Sequence, residues 1–317
     1  MPITFNEKNR VFKLDAGNST YAFLIEPNGY IAHLCYGGKI DSDALEYLYR
    51  PMDRAFSPAA PGTQAPESRD VIPQEFGTNG IGDFYAPGVI VRQENGHTVT
   101  DFKYRSHKIY KGKPALEGLP ATFGADGEVD TLELSLHDAA SDVEFILLYS
   151  TFTKYNAIAR AAKVVNRSGE TVRIEKLSSA SVDFPGADFE LLHLPGAWGR
   201  ERAVERRKLS HTRTVIESVR GLSSHQQNPF FALAAPQTTE TAGEAYGITL
   251  LYSGNFAAEL ELDQFNLLRA QIGINERTFE WVLAPGESFT APEALLVYSA
   301  DGLGDMSRTF HNLFHDH

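Results

Sequence analysis

The chain has 317 residues, of which 42% are hydrophobic and 22% are charged, so its composition excludes an intrinsically disordered protein. Its formal net charge of −12 disfavours nucleic acids and anionic membranes as partners, and its longest apolar runs are too short to span a bilayer. A single cysteine, Cys35, excludes an internal disulfide framework.

Two features of the sequence predict the cellular compartment of the protein. The N-terminal sequence lacks the apolar core and the cleavage site of a secretory signal, and a single cysteine suits a reducing compartment. We therefore expect a cytoplasmic protein. Cys35 itself is expected to be a small apolar side chain in a strand rather than a nucleophile.

β-Strand patterns dominate the chain. Residues 20–26 and 30–36 are apolar-rich runs joined by Pro-Asn-Gly at 27–29, which predicts a β-hairpin. Further strands are predicted at 143–152, 157–166, 171–178, 189–193, 214–218, 248–253, 258–265, 267–274, 278–283 and 294–298. Many short strands at fairly even spacing indicate sheet packed on sheet, so the predicted fold is all-β, a large antiparallel two-sheet sandwich.

Two stretches break the strand pattern. Residues 50–82 have little periodicity and many Pro, Gly and Ser residues, which is typical of a functional or disordered loop. Residues 305–314 carry an apolar stripe at helical spacing, and no C-cap glycine or proline follows before the last residue. We expect a sandwich over 1–300 and, over 301–317, either a helix that leads into a further domain or a docked terminal helix.

The segment 194–202, LPGAWGRER, is the strongest candidate for a binding site. It contains Trp198, one of two tryptophans, beside a Pro-Gly turn, followed by Arg200, Glu201 and Arg202. A flat aromatic side chain next to arginine guanidinium groups, which can donate two parallel hydrogen bonds, is typical of sugar recognition. A second polar loop, SSHQQNPF at 223–230, is expected to form a hydrogen-bond network rather than a nucleophilic site.

No complete catalytic constellation is visible. The chain has no G-x-S-x-G elbow, Walker loop, H-E-x-x-H motif or zinc-spaced cysteines, so we predict no metal site and no catalytic residue. Asp53 and Arg54 begin the irregular stretch, where Asp53 would accept hydrogen bonds from sugar hydroxyls. A surface ion pair between these two residues is an equally good interpretation.

Several motifs in order resemble one known family. PGAWGRER at 195–202, SSHQQNPF at 223–230, SVDFP at 181–185 and MDRAFSP at 52–58 together look like the N-terminal region of bacterial glycoside hydrolase family 36 α-galactosidases. The likeness extends over essentially the whole chain. Gly-Asp-Phe at 82–84 is similar to the family's G-D-F-R segment, although Tyr85 replaces the usual arginine.

The resemblance implies more than the residues alone. In that family this region is a β-supersandwich that precedes a (β/α)₈ barrel carrying both catalytic aspartates, and the enzymes hydrolyse terminal α-1,6-linked galactose with retention and without a cofactor. They are often tetramers in which one subunit's sandwich reaches a neighbour's active site. Nothing in this chain matches the barrel motifs, so the chain alone is expected to be inactive.

The resemblance also assigns roles to individual residues. It implies substrate contacts in a neighbouring subunit from three residues, and structural or interface roles for six others. The first set is Asp53, Arg69 and Trp198; the second is Arg54, Arg200, Glu201, Arg202, His225 and Asn228. Two other interpretations remain open: a stand-alone galactose-binding module using Trp198 and Asp53, and a mutarotase-like enzyme using His193 or His225 as acid and base.

Overall fold

The computed structural model describes residues 2–52, 68–124, 127–186 and 188–317. In these ranges the chain folds mainly into β-strands, with one α-helix, α1 (Leu303–Asp316), at the end. The strands are β1 (Ile3–Asn6), β2 (Val11–Ala16), β3 (Ser19–Ile25), β4 (Ile31–Gly38), β5 (Val89–Arg92), β6 (Lys103–Lys111), β7 (Val129–Asp138), β8 (Val143–Phe152), β9 (Ala157–Asn166), β10 (Val172–Phe184), β11 (Glu190–Pro195), β12 (Glu205–Lys208), β13 (Arg213–Glu217), β14 (Gln227–Ala234), β15 (Ala245–Leu251), β16 (Phe256–Leu262), β17 (Leu268–Ile274), β18 (Trp281–Leu283), β19 (Ser288–Thr290) and β20 (Glu293–Ser299).

These strands form two layers. One layer is a ten-stranded sheet in the order β12-β11-β14-β15-β20-β9-β8-β7-β6, with β19 also paired to β9. The other layer consists of a four-stranded sheet, β1-β2-β3-β4, and a six-stranded sheet, β13-β16-β17-β10-β18, in which β5 pairs with β10. The strand pairs of the described residues are antiparallel, which confirms the predicted all-β supersandwich.

A single large core lies between the layers. Side chains from β2 and β3 meet those of β8, while side chains from β10 and β16 meet those of β9 and β14. Fully buried aromatic residues from both layers, such as Phe23 and Tyr149 with ring centroids 5.2 Å apart, fill the space. Burial of this apolar surface is the main force that holds the two layers together.

The hairpin predicted at residues 20–36 is confirmed. The Gly29 N–H donates to the Glu26 carbonyl at 2.9 Å, and the Glu26 N–H donates to the Tyr30 carbonyl at 2.9 Å, which closes the turn between β3 and β4. Gly29 has φ 93°, a conformation that favours glycine. The Pro-Asn-Gly sequence therefore forms the turn that its composition predicts.

Twelve of the strands overlap the predicted ones, and β8 and β9 have the predicted bounds. Eight strands are not predicted: β1, β2, β5, β6, β7, β12, β14 and β19. Several of these are short or polar; β12, for example, reads Glu-Arg-Arg-Lys. β7 does carry a period-2 pattern, because buried Leu132, Leu134 and Leu136 alternate with polar residues.

The predicted C-terminal helix is also present. α1 uses its apolar stripe, with Met306, Phe310 and Leu313 buried, to pack on the outer face of the ten-stranded sheet. It contacts β15 and β20. None of the helices in the described ranges is long and apolar enough to cross a membrane.

α1 approaches the sheet closely at Gly247 of β15. A Cβ atom at this position would lie 2.6 Å from Cε2 of Phe310 and 2.8 Å from Sδ of Met306. We expect Gly247→Ala to lower the free energy of unfolding by about 1–3 kcal/mol, because the helix must shift away from the sheet. Urea denaturation followed by circular dichroism measures the change.

Gly169→Ala is the matched control, because a Cβ at Gly169 would meet no atom within 4 Å. Its effect should stay within about 0.5 kcal/mol. Equal midpoints for the two variants would contradict the tight packing of α1 at Gly247.

Candidate functional site

The 194–202 segment forms a projecting hairpin loop between β11 and β12. Ala197 and Arg200 exchange backbone hydrogen bonds at 3.3 and 2.9 Å, which leaves Trp198 and Gly199 at the tip. Gly199 has φ 77°, so the turn favours glycine there. The indole of Trp198 is 89% exposed, an unusual position for the largest apolar side chain.

A carboxylate stabilises this tip. Oε1 of Glu201 accepts a hydrogen bond from the Gly199 N–H at 2.9 Å. The backbone N–H groups of Glu201 itself and of Gly199 lower the pKa of the Glu201 carboxyl, and the nearby His225 adds to the effect. Glu201 therefore stays ionised and fixes the turn that presents Trp198.

The structure brings the two sequence motifs together. The Gly196 N–H donates to the Gln226 carbonyl at 3.1 Å, so the PGAWGRER loop lies against the SSHQQNPF loop. A Cβ on Gly196 would lie 2.8 Å from the carbonyl oxygen of His225, which explains why a glycine is needed here. Within the second loop, Ser224 Oγ accepts a hydrogen bond from the Gln226 N–H at 3.2 Å, and Oε1 of Gln226 accepts one from Nε of Arg220 at 2.8 Å.

An apolar groove of about 530 Å³ begins beside these loops and runs along α1. Arg202 and Asn228, one residue from each motif, lie at its polar edge. Its apolar lining comes from β11, β14, α1 and the residue before β12: Leu192, Leu194, Val204, Phe230, Phe310 and Phe314. Val204 is 67% exposed and Phe314 47% exposed, so this groove, which we call the α1 groove, presents an open apolar surface.

Two of the nine candidate residues, Asp53 and Arg54, lie outside the described residues. Arg69 is described, and it is buried. Its guanidinium stacks 4.1 Å from the Tyr30 ring centroid and donates to Oε1 of Gln74 at 2.8 and 3.2 Å. Burial lowers the pKa of Arg69 from its usual value. The other six residues lie on the two adjoining loops, and two of them, Arg202 and Asn228, also line the α1 groove.

His193 has a carboxylate partner, as an acid–base pair requires. Its Nε2 lies 3.4 Å from Glu205 on the neighbouring strand β12, and the imidazole is buried. Neither ring nitrogen has a hydrogen-bond partner among the described residues. Glu205 is 61% exposed, so this pair lies at the open edge of the sheet rather than in an enclosed pocket.

One buried charge cluster is not predicted from the sequence. Arg269 of β17 donates to Asp83 at 2.9 and 3.0 Å and to Asp183 of β10 at 2.8 and 2.9 Å. The Gln74 N–H donates to Asp183 as well, at 2.8 Å. Asp83 and Asp183 belong to the GDF and SVDFP motifs, so the structure gives these motifs a shared structural role.

Opposing effects set the ionisation of this cluster. Burial disfavours the charge of Arg269, but Asp183 and Asp83 outweigh it and raise the pKa of the guanidinium. Burial raises the pKa of Asp183, and the bonds from Arg269 and Gln74 oppose that rise. A charged residue inside the apolar strand 268–274 is the sequence signal that could have indicated a buried ion pair.

We expect Arg269→Met to destabilise the fold by about 3–5 kcal/mol, because it leaves two buried carboxylates without their cation. Arg277→Met is the control, since Arg277 forms an exposed ion pair with Glu217 at 2.7 Å, worth about 0–1 kcal/mol. Chemical denaturation at neutral pH measures both. Similar stability losses in the two variants would contradict a central role for Arg269.

The chain matches a known family of protein domains over most of its length. Residues 29–284 match the model of the glycosyl hydrolase family 36 N-terminal domain. The chain is 45% identical over 315 residues to α-galactosidase AgaA of Geobacillus stearothermophilus, covering 99% of this chain and 43% of that protein.

Solved structures agree with this match. The crystal structure of family 36 α-galactosidase AgaB from Geobacillus stearothermophilus superposes with a TM-score of 0.96 at 46% identity, covering 99% of this chain and 43% of that one. A variant of AgaA in complex with raffinose superposes with a TM-score of 0.93 at 46% identity, covering 96% and 42%. The chain thus spans less than half the length of these relatives.

Proposed function

Because the chain belongs to the glycosyl hydrolase family 36 N-terminal domain family, we propose that it is the non-catalytic N-terminal part of a retaining α-galactosidase. The substrates are oligosaccharides of the melibiose and raffinose type, from which terminal α-1,6-linked galactose is removed. The observation that carries this proposal is the match over 29–284 to a domain described as N-terminal, in a chain that spans 43% of α-galactosidase AgaA.

The proposal assigns different roles to two regions of a longer protein. The sandwich, residues 1–300, supports the enzyme, and residues 301–317 lead into a (β/α)₈ barrel that carries the catalytic aspartates. Retaining hydrolysis needs two carboxylates about 5 Å apart, so the proposal includes no metal and no organic cofactor. Cys35, the chain's single cysteine, is unbridged and favours a cytoplasmic location.

The α1 groove is the proposed contact surface of the sandwich with the barrel. It is apolar, it lies beside the helix that would lead into the barrel, and Phe314 and Val204 are exposed along it. Arg202 and Asn228 would form polar contacts at its edge, as interfaces commonly have around an apolar centre. Arg54, Arg200, Glu201 and His225 complete the proposed interface residues.

Substrate contact is proposed to occur in a neighbouring subunit of a tetramer. Trp198 is held at the tip of a fixed turn and is 89% exposed, which suits a side chain that acts outside its own sandwich. Asp53 would accept hydrogen bonds from substrate hydroxyls, and Arg69 lies in the segment that follows it. Tryptophan is one of the residues that most often dominate the binding energy of an interface.

A stand-alone galactose-binding module is the second candidate. The exposure of Trp198 also favours this function, because an indole face packs well against the apolar face of a sugar ring. In this case the isolated chain would bind galactose through Trp198 without any neighbouring subunit.

The isolated 317-residue chain should not hydrolyse 4-nitrophenyl α-galactoside, because the proposed catalytic aspartates lie in the barrel. Release of nitrophenol measures this, with AgaA of Geobacillus stearothermophilus as the positive control. Measurable turnover that a single Asp or Glu substitution in this chain abolishes would overturn the proposal.

In the longer protein, we expect Trp198→Ala to lower kcat/KM for raffinose about tenfold, equivalent to about 1.4 kcal/mol, because a contact at a neighbour's site is lost. Its thermal midpoint should not change, since the exposed indole makes few contacts within its own sandwich. Tyr47→Ala is a matched control, because Tyr47 is also an exposed aromatic residue, 62% exposed. An unchanged kcat/KM with intact tetramers would contradict the role of Trp198.

A further inference from the structure

A second groove, far in sequence from the motifs above, lies on the outer face of the ten-stranded sheet. It has a volume of about 530 Å³ and contains Trp281, the other tryptophan of the chain. Its floor is formed by Ile146 and Leu148 of β8 and by Lys163 of β9. The adjacent residues Leu147 and Val164 point into the core, so these three side chains point to the outer face of the sheet. We call it the Trp281 groove.

One wall of the Trp281 groove is a loop, residues 114–119, fixed by a single buried carboxylate. Glu293 of β20 pairs with Lys113 Nζ at 2.5 Å before the loop. After the loop, Oε1 of Glu293 accepts from the Thr122 N–H at 2.8 Å and from its hydroxyl at 2.6 Å. Because both ends of the loop are tied to Glu293, the wall is preformed, as ligand sites usually are.

The opposite wall is aromatic. Trp281 of β18 is 48% exposed, and its ring lies 4.9 Å from that of Phe289 of β19, which in turn lies 5.5 Å from Phe279. β18 belongs to the six-stranded sheet and β19 to the ten-stranded sheet, so this cluster closes the edge between the layers. These tilted ring contacts hold the indole in place while part of its surface stays open.

Among the polar side chains that line the Trp281 groove, Glu133 pairs with Lys108 at 3.8 Å, and four others have no partner in the described ranges. Lys163 and Thr290 lie directly opposite each other on β9 and β19. Across the described ranges, the hydrogen bonds and ion pairs include none from the side chains of Lys163, Thr290, Ser288 or Glu117, all of which line the groove. The groove thus combines an open aromatic surface with unused donors and acceptors.

We propose that the Trp281 groove binds one sugar unit of a neutral oligosaccharide. A pyranose ring has an apolar C–H face that packs on an aromatic ring, and hydroxyls around its edge that both donate and accept hydrogen bonds. Lys163 supplies donors, Glu117 accepts, and the two hydroxyl groups do either. The class of sugar, an α-galactoside, rests on the proposed function; the site itself rests on the groove.

The two tryptophans allow a direct test, because Trp198→Phe leaves Trp281 as the only indole and Trp281→Phe leaves only Trp198. Raffinose is titrated into each 317-residue variant, and sorbitol serves as the control for bulk polyol effects. The emission of Trp281 should shift to shorter wavelength in a saturable way with raffinose and not with sorbitol. The emission of Trp198 should show no saturable change over the same range.

A further variant tests the polar side of the groove. Adding Lys163→Ala to Trp198→Phe should weaken raffinose binding at least about fivefold, while Lys208→Ala, at an exposed position on the edge strand β12 and outside the groove, should leave it unchanged. No saturable shift of Trp281, or equal affinity after Lys163→Ala, overturns the site.

Two other outcomes also overturn it. A saturable response of Trp198 alone would support the galactose-binding module instead. An emission shift of Trp281 that depends on protein concentration without sugar would mean that a second copy of the chain covers the groove. None of these results affects the raffinose kinetics of Trp198→Ala in the longer protein, so the two proposals can fail separately.

Discussion

Two buried arginines, one from each layer, hold the irregular segment 69–88 inside the sandwich. Arg160 of β9 pairs with Glu75 at 3.1 Å, and Arg269 of β17 pairs with Asp83 at 2.9 Å. All four side chains are at most 1% exposed. An unpaired charge at such depth would cost several kcal/mol, so the segment, the two arginines and both layers depend on one another.

The ion pair between Arg160 and Glu75 is part of a buried hydrogen-bond network. Oε1 of Glu75 accepts from the hydroxyls of Tyr21 at 2.7 Å and Tyr149 at 2.6 Å, and Oε2 lies 2.9 Å from Nδ1 of His33. These partners come from the four-stranded sheet and from the ten-stranded sheet. A hydrogen-bond network with members in both layers favours one relative arrangement of the sheets, which apolar packing alone specifies less strictly. The segment it fixes contains Arg69 and leads up to β5.

The sequence predicts those secondary-structure elements that depend on patterns among neighbouring residues. The Pro-Asn-Gly turn, the ten-residue strands β8 and β9 and the stripe of α1 all follow from neighbouring residues. Long-range pairings do not: Arg269 and Asp83 are 186 residues apart, and nothing local indicates that they meet. The contact between the Gly196 and Gln226 loops is likewise invisible until β11 and β14 are known to be neighbours. The sequence therefore identifies the residues of the motifs but does not predict how they are arranged in space.

The ten-stranded sheet ends at two strands rich in basic residues. β12 reads Glu-Arg-Arg-Lys at one end, and at the other end β6 carries lysines at positions 103, 108 and 111. Open strand edges invite pairing with strands of other molecules, and charged side chains, lysine above all, discourage it. Growth of this sheet from one chain into the next is therefore disfavoured. Contacts through the faces and loops of the sandwich are compatible with a closed set of subunits, whereas continued pairing at the ends of this sheet would give an open-ended fibre.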